Sequence, residues 1–186
     1  MSRPARITVL CEDLQQACFV RRFLLNRGWT RHEIRENSAP QGRGSGEQYV
    51  REGFPDALKA YRRKADSRTG LIVVIDADTQ EVADRVRAFN SACKGKGVEP
   101  RQKNEKVLYV IPKRNIETWL AYLRGETRGE TVDEKKKFRK YDYPSDCHAE
   151  VDKLDAMCKA EKLDPVPPLS LKQCCDEFKV FWRLVQ

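Results

Sequence analysis

The sequence predicts an α/β fold, a parallel-rich sheet flanked by helices and followed by a helical C-terminal appendage. Three observations predict it. The run Leu71-Ile72-Val73-Val74-Ile75 is apolar without alternation, the pattern of a strand covered on both faces of a parallel sheet. Short apolar runs alternate with stretches of helical period through the first two thirds of the chain, which implies successive βα units. Each of the stronger strand candidates also leads directly into a polar turn that opens a helix.

Ile7-Thr8-Val9-Leu10-Cys11 reads as the first strand. Leu14, Ala17, Cys18, Leu24 and Leu25 then fall at helical spacings, Arg21 and Arg22 lie towards the other side, and Gly28 supplies the stop. A weak second strand is expected over residues 30–35. The segment Asn37-Ser38-Ala39-Pro40-Gln41-Gly42-Arg43-Gly44-Ser45-Gly46 is expected to be a loop. Its glycine N–H groups and Arg43 offer a cradle for a phosphate, although the spacing fits neither a dinucleotide fingerprint nor a P-loop. Pro55 is predicted in the first turn of a helix carrying Ala57, Leu58, Ala60 and Tyr61, with Arg62, Arg63 and Lys64 at its cation-favouring end.

The strand at 71–75 comes next, then a helix carrying Val82, Val86 and Phe89 that ends near Gly95-Lys96-Gly97. Residues 107–111 form a further apolar strand. Asn115 then reads as an N-cap for a helix whose apolar stripe is Ile116, Trp119, Leu120 and Leu123. From Gly125 the composition shifts, with a basic run at 135–140, helices expected over 146–162 and 171–184, and Pro165-Val166-Pro167-Pro168 between them. The expected division is an α/β domain over 1–124 and a basic, helical extension over 125–186 packed on it.

Thirty-six Lys and Arg against 28 Asp and Glu give a net charge of +8. Such an excess favours polyanionic partners, nucleic acid being the commonest. No run approaches the roughly 18 apolar residues that span a bilayer, and the apolar segment near Met1 is too short for a signal-peptide core. A cytoplasmic protein without membrane association is expected. The cysteines number seven, an odd count with no C-x-x-C pair, which favours reduced thiols over zinc or a disulfide framework.

Acids stand at three of the strand-to-helix turns: Glu12 with Asp13, Asp76 with Asp78, and Glu117. Helix capping accounts for several of them. Asp13 with Gln16, and Asp78 with Glu81, have the offset of a capping box, and Glu117 suits a first turn. It does not account for Glu12 or Asp76, which end apolar strands where a carboxylate is costly unless hydrated, paired or bound to a cation. If the chain stays extended, Asp76 and Asp78 point to one side. If the two strands are neighbours, Glu12 joins them, and a hard cation such as Mg²⁺ relieves the repulsion.

Glu12 after a first strand and Asp76-Ala77-Asp78 after a later one resemble the Toprim pattern, a Glu motif followed by an Asp-x-Asp motif. The resemblance covers roughly residues 7–123. It implies a Toprim-like α/β sheet, Mg²⁺ (or Mn²⁺) held by Asp76 and Asp78, and Glu12 as general acid/base or further metal ligand. Ile111-Pro112-Lys113-Arg114-Asn115-Ile116-Glu117-Thr118-Trp119 is also similar to a segment of small stand-alone Toprim-like proteins, some associated with bacterial anti-phage defence. That likeness adds Glu117 to the catalytic acids and implies a protein partner such as an ATPase of a defence system. The chain departs from the pattern at Asp13, where Gly often follows the Toprim Glu.

No region is large enough for topoisomerase strand passage, and no primase module is recognisable. The resemblance therefore implies a small metal-dependent nuclease acting on DNA or RNA, with Lys113 and Arg114 as phosphate clamps, to which the glycine-rich loop adds Arg43 as a candidate phosphate contact. Two other classes stay open. One is a non-catalytic nucleic-acid-binding or regulatory protein that keeps the fold. The other is a phosphohydrolase with Asp76 as nucleophile, since Asp76-Ala77-Asp78-Thr79 is similar to the haloacid dehalogenase-like motif, which that family places on its first strand.

Overall fold

Four strands of the computed structural model, β1 (Arg6–Cys11), β2 (Ile34–Ser38), β3 (Thr69–Val74) and β4 (Val107–Val110), pair in the order β2-β1-β3-β4, all parallel. The structure describes residues 5–40, 42, 44–64, 68–126, 142–163 and 166–186. Arg43, the basic run at 135–140 and Pro165 lie outside them.

Among the described residues, six helices flank the sheet: α1 (Leu14–Asn26), α2 (Gly46–Arg62), α3 (Val82–Gly95), α4 (Ile116–Arg124), α5 (His148–Lys159) and α6 (Leu169–Val185). The strands sort their side chains by alternation. Ile7, Val9, Ile72, Val74, Leu108 and Val110 face a core shared with α1, α4, α5 and α6, whereas Leu10, Leu71, Val73, Val107 and Tyr109 face α2 and α3. Burial on both faces is why 71–75 carries no polar alternation.

α5 and α6 line the same core as α1 and α4, through Val151, Leu154, Leu171, Phe178 and Phe181. α5 and α6 thus supply half of the helices of that layer. No helix among the described residues is long and apolar enough to cross a membrane.

Two elements depart from the sequence reading. The second strand begins at Ile34 rather than Thr30, because Arg31–Glu33 makes a 3-10 turn first and the strand runs on through Asn37 and Ser38. Helix α2 starts nine residues before Pro55, at Gly46. Ser45 caps it by accepting the Gln48 N–H at 3.4 Å, and the buried stripe Val50, Phe54 and Leu58 carries the helix through the proline. Tertiary burial outweighs the hydrogen bond that Pro55 cannot donate.

Candidate active site at the carboxyl edge of the sheet

In the order β2-β1-β3-β4 the connection out of β1 runs one way and the connection into β3 returns past it, so the chain reverses direction between β1 and β3. Ligands of open α/β sheets bind outside the carboxyl ends of the strands at such a switch point. Glu12 directly follows β1, and Asp76 lies two residues past β3.

The two acids are linked. The Asp76 N–H donates to Glu12 Oε1 at 2.6 Å. Gln16, in the first turn of α1, ties both ends together: its Oε1 accepts the Glu12 N–H at 2.9 Å, and its Nε2 donates to Asp76 Oδ1 at 3.0 Å. Gln16 is held in turn by the predicted cap, its N–H donating to Asp13 Oδ1 at 2.8 Å. The amide therefore reaches Glu12 and Asp76, where a standard capping box would return to the cap residue itself.

Asp76 is buried, 7% exposed. Asp78 is not its twin, because Asp78 has a φ of 53° and its side chain is 42% exposed. The extended conformation that would have aligned the two carboxylates ends before Asp78. Left-handed backbone is uncommon outside Gly, with Asp among the residues that tolerate it. Arg114 holds it there: its C=O accepts the Asp78 N–H at 2.9 Å and its Nη1 donates to the Asp78 C=O at 3.2 Å. Nor does Asp78 cap α3. Glu81 is the N-cap, paired in a capping box with Asp84.

Arg85 completes the cluster from α3. Its guanidinium donates from Nε to the Asp76 C=O at 2.9 Å, from Nη1 to Glu47 Oε1 at 2.8 Å and from Nη2 to Asp78 Oδ2 at 3.3 Å. With its side chain only 6% exposed, it is an internal cation for the acids around it. Glu47 stands in the first turn of α2, whose N-terminus abuts Glu12. A Cβ on Gly46 would come within 2.9 Å of Glu12 Cβ.

Burial raises the Glu12 carboxyl above the usual range; the Asp76 N–H works against that rise, and the nearby Asp78 charge adds to it. Behind Glu12, burial pushes the Cys11 thiol up to about 12, which removes it as a nucleophile at neutral pH.

The basic turn is held by internal contacts. Lys113 forms an ion pair with Glu81 and donates to the Gln80 C=O at 3.2 Å, and Arg114 braces Asp78. Ser170 of α6 supports the same turn, its Oγ accepting the Lys113 N–H at 3.2 Å and the Trp119 Nε1–H at 2.9 Å. Asn115 caps α4 as expected, accepting the Thr118 N–H at 3.0 Å. Glu117, half-buried in the first turn of α4, stays outside the hydrogen-bonded network of Glu12, Asp76 and Asp78.

Gln16, Glu47 and Arg85 are the participants that sequence reasoning missed. Arg85 carried a signal: it lies at helical spacing within the stripe of Val82, Val86 and Phe89, and a cation at a core position needs a partner.

No protein-family model, curated protein or solved structure matches the chain. The chemistry of the site is read from its own groups. Among the described residues, no three Asp, Glu, His or Cys side chains form a ready-made metal cage. The donors are nevertheless all carboxylate oxygens, the set that suits a hard cation, and Mg²⁺ keeps most of its waters and needs only one or two direct carboxylates. Burial, with a smaller contribution from the Asp78 charge, makes the ionised Glu12 carboxyl costly, and such a cation would offset that cost.

Proposed function

We propose that this chain is a Mg²⁺- or Mn²⁺-dependent nuclease that hydrolyses phosphodiester bonds of DNA or RNA at the carboxyl edge of β1 and β3. The observation that carries this reading is the junction of Glu12 with Asp76 at the switch point, locked by Gln16. Asp78 and Asp76 would hold the metal, with Glu12 as a further ligand or as the proton-transfer group. When bound, a divalent cation polarises the phosphodiester and lowers the pKa of water.

The residues of the chain do the rest. Glu12 binds the Asp76 N–H through Oε1, which leaves Oε2 as the atom that takes a proton from the attacking water, and burial, by raising the carboxyl above its ordinary value, makes it a stronger base. Arg85 orients Asp78 and Glu47 from behind. The N-terminal end of α2 lies beside Glu12, and its dipole favours an approaching phosphate. The net charge of +8 draws the polyanion in.

One observation favours a second reading. Arg85 already supplies a buried positive charge to Asp78 and Glu47, as a non-catalytic nucleic-acid-binding protein that keeps the fold would need. The test is cleavage of single- and double-stranded DNA and RNA with Mg²⁺ or Mn²⁺, comparing the native chain with Asp76→Ala and Glu12→Gln. Metal-dependent cleavage lost in both variants is the expected result. Salt-sensitive binding without cleavage by the native chain would favour the second reading.

A further inference from the structure

All seven cysteines are free thiols, yet two from different helices touch. Cys158, in the last turn of α5, and Cys175, in α6, place their sulfurs 3.1 Å apart. A disulfide bond is about 2.05 Å long, so an approach of roughly 1 Å, within reach of side-chain rotation, separates the thiols from a bond.

Both thiols are half-buried and line a surface cavity of about 290 Å³ together with Lys172, Asp176 and Lys179. A small oxidant therefore has a route to them. The other close thiol group, Cys18 beside Cys147 and His148, has no such route: Cys18 is 1% exposed and Cys147 is fully buried. Cys174, next to Cys175, is also half-buried, but it lines only the apolar interior that Cys175 shares, not the surface cavity that reaches Cys158 and Cys175.

The electrostatics divide the roles of the pair. The contact with Cys175 lowers the Cys158 thiol, and the Arg27 and Lys179 cations act in the same direction. The same contact and burial push the Cys175 thiol up. The cations beside Cys158 and the acid Asp176 beside Cys175 favour Cys158 as the nucleophile and Cys175 as the reserve thiol.

We propose that Cys158 and Cys175 are a reversible oxidation site, in which a peroxide converts the dithiol to a disulfide that clamps α5 to α6. The Cys158 thiolate attacks one oxygen of hydrogen peroxide, the O–O bond breaks, and the departing hydroxide takes a proton to become water. Cys158 is left as the sulfenic acid. The Cys175 sulfur then attacks the Cys158 sulfur and loses its proton, and the displaced hydroxyl leaves with that proton as a second water. Two thiols lose two electrons and one peroxide gains them. This site is independent of the acids at the sheet edge, and α6 is the helix whose Ser170 supports the Lys113 turn.

The experiment exposes the full, native chain to hydrogen peroxide, alkylates the remaining thiols and maps the unreduced digest by mass spectrometry. The expected result is one cross-linked peptide pair joining Cys158 to Cys175, an intact mass lower by about 2 Da, and reversal by dithiothreitol. Cys174→Ser should leave the cross-link in place. In Cys175→Ser, Cys158 should stop at a sulfenic acid that dimedone traps. Cross-linking chiefly through Cys174, both thiols still free to alkylate after treatment, or Cys158 ending as sulfinic acid in the native chain would each overturn the proposal.

Discussion

Glu12 closes the tip of β3 with its side chain, its Oε1 accepting the Asp76 N–H at 2.6 Å. The carboxylate thereby takes a structural role in addition to any chemical one, and two substitutions separate the roles. Glu12→Ala leaves a part-buried N–H without its acceptor and should cost about 1–3 kcal/mol, seen as a lower urea midpoint. Glu12→Gln keeps an acceptor oxygen and carries no charge to bury, so its midpoint at neutral pH should be no lower than that of the native chain while cleavage is lost.

The same residue makes stability depend on pH, with a defined sign. Burial, first among the causes, raises the folded-state pKa of Glu12 above its unfolded value. Between those two values the folded chain holds the proton more tightly than the unfolded one, so stability falls as pH rises through that window. Chemical denaturation of the native chain and Glu12→Gln across the window should give a shallower decline for the variant. Identical slopes would place the elevated pKa elsewhere.

How much of this was legible in the sequence follows from the range of each interaction. The caps at Asp13 and Asn115 are contacts of three residues, and both stand where the pattern put them. β1, β3 and β4 announce themselves because burial on both faces leaves no room for polar residues. β2 does not, since Ile-Arg-Glu-Asn-Ser lies at the edge of the sheet with no fully buried position. Gln16 and Arg85 reach their partners across the fold, Gln16 to Asp76 over 60 residues and Arg85 to Glu47 over 38, and no local pattern encodes such pairs. The bend at Asp78 was hidden for the same reason, because Arg114 on the next strand-to-helix turn holds it.

Gly46 admits the N-terminus of α2 to the site. A methyl group there would sit 2.9 Å from Glu12 Cβ and 3.1 Å from the Glu12 C=O. Gly46→Ala should therefore push Glu12 off Asp76, with a loss of about 1–3 kcal/mol from overpacking and a fall in metal-dependent cleavage. Differential scanning calorimetry and the cleavage assay read the two effects separately.

Ser170 tests whether α6 supports the site. Ser170→Ala removes the acceptor shared by Trp119 Nε1–H and the Lys113 N–H, leaving a buried indole donor unsatisfied. The expected cost is about 1–3 kcal/mol in unfolding free energy. Faster amide exchange should appear at residues 113 and 114, whose turn holds Asp78. Exchange unchanged there would mean that the turn is held by Asp78 and Lys113 alone.

Arg85 separates the catalytic reading from the binding reading without any cleavage assay. Its guanidinium is buried, and it serves Glu47, Asp78 and the Asp76 C=O together. Arg85→Met keeps most of the stem and removes the charge. A fully buried broken pair would cost more, but Asp78 and Glu47 are partly exposed and solvent screens them, so the expected loss is about 1–3 kcal/mol. The acids of the variant are then short of a cation. If they form a Mg²⁺ site, millimolar Mg²⁺ should raise the Tm of Arg85→Met more than that of the native chain, through preferential binding to the folded state. Adding Asp78→Asn should abolish the difference. Equal Tm values with and without Mg²⁺ in the native chain and in Arg85→Met would mean that the acids exist to hold Arg85, and would favour the non-catalytic reading.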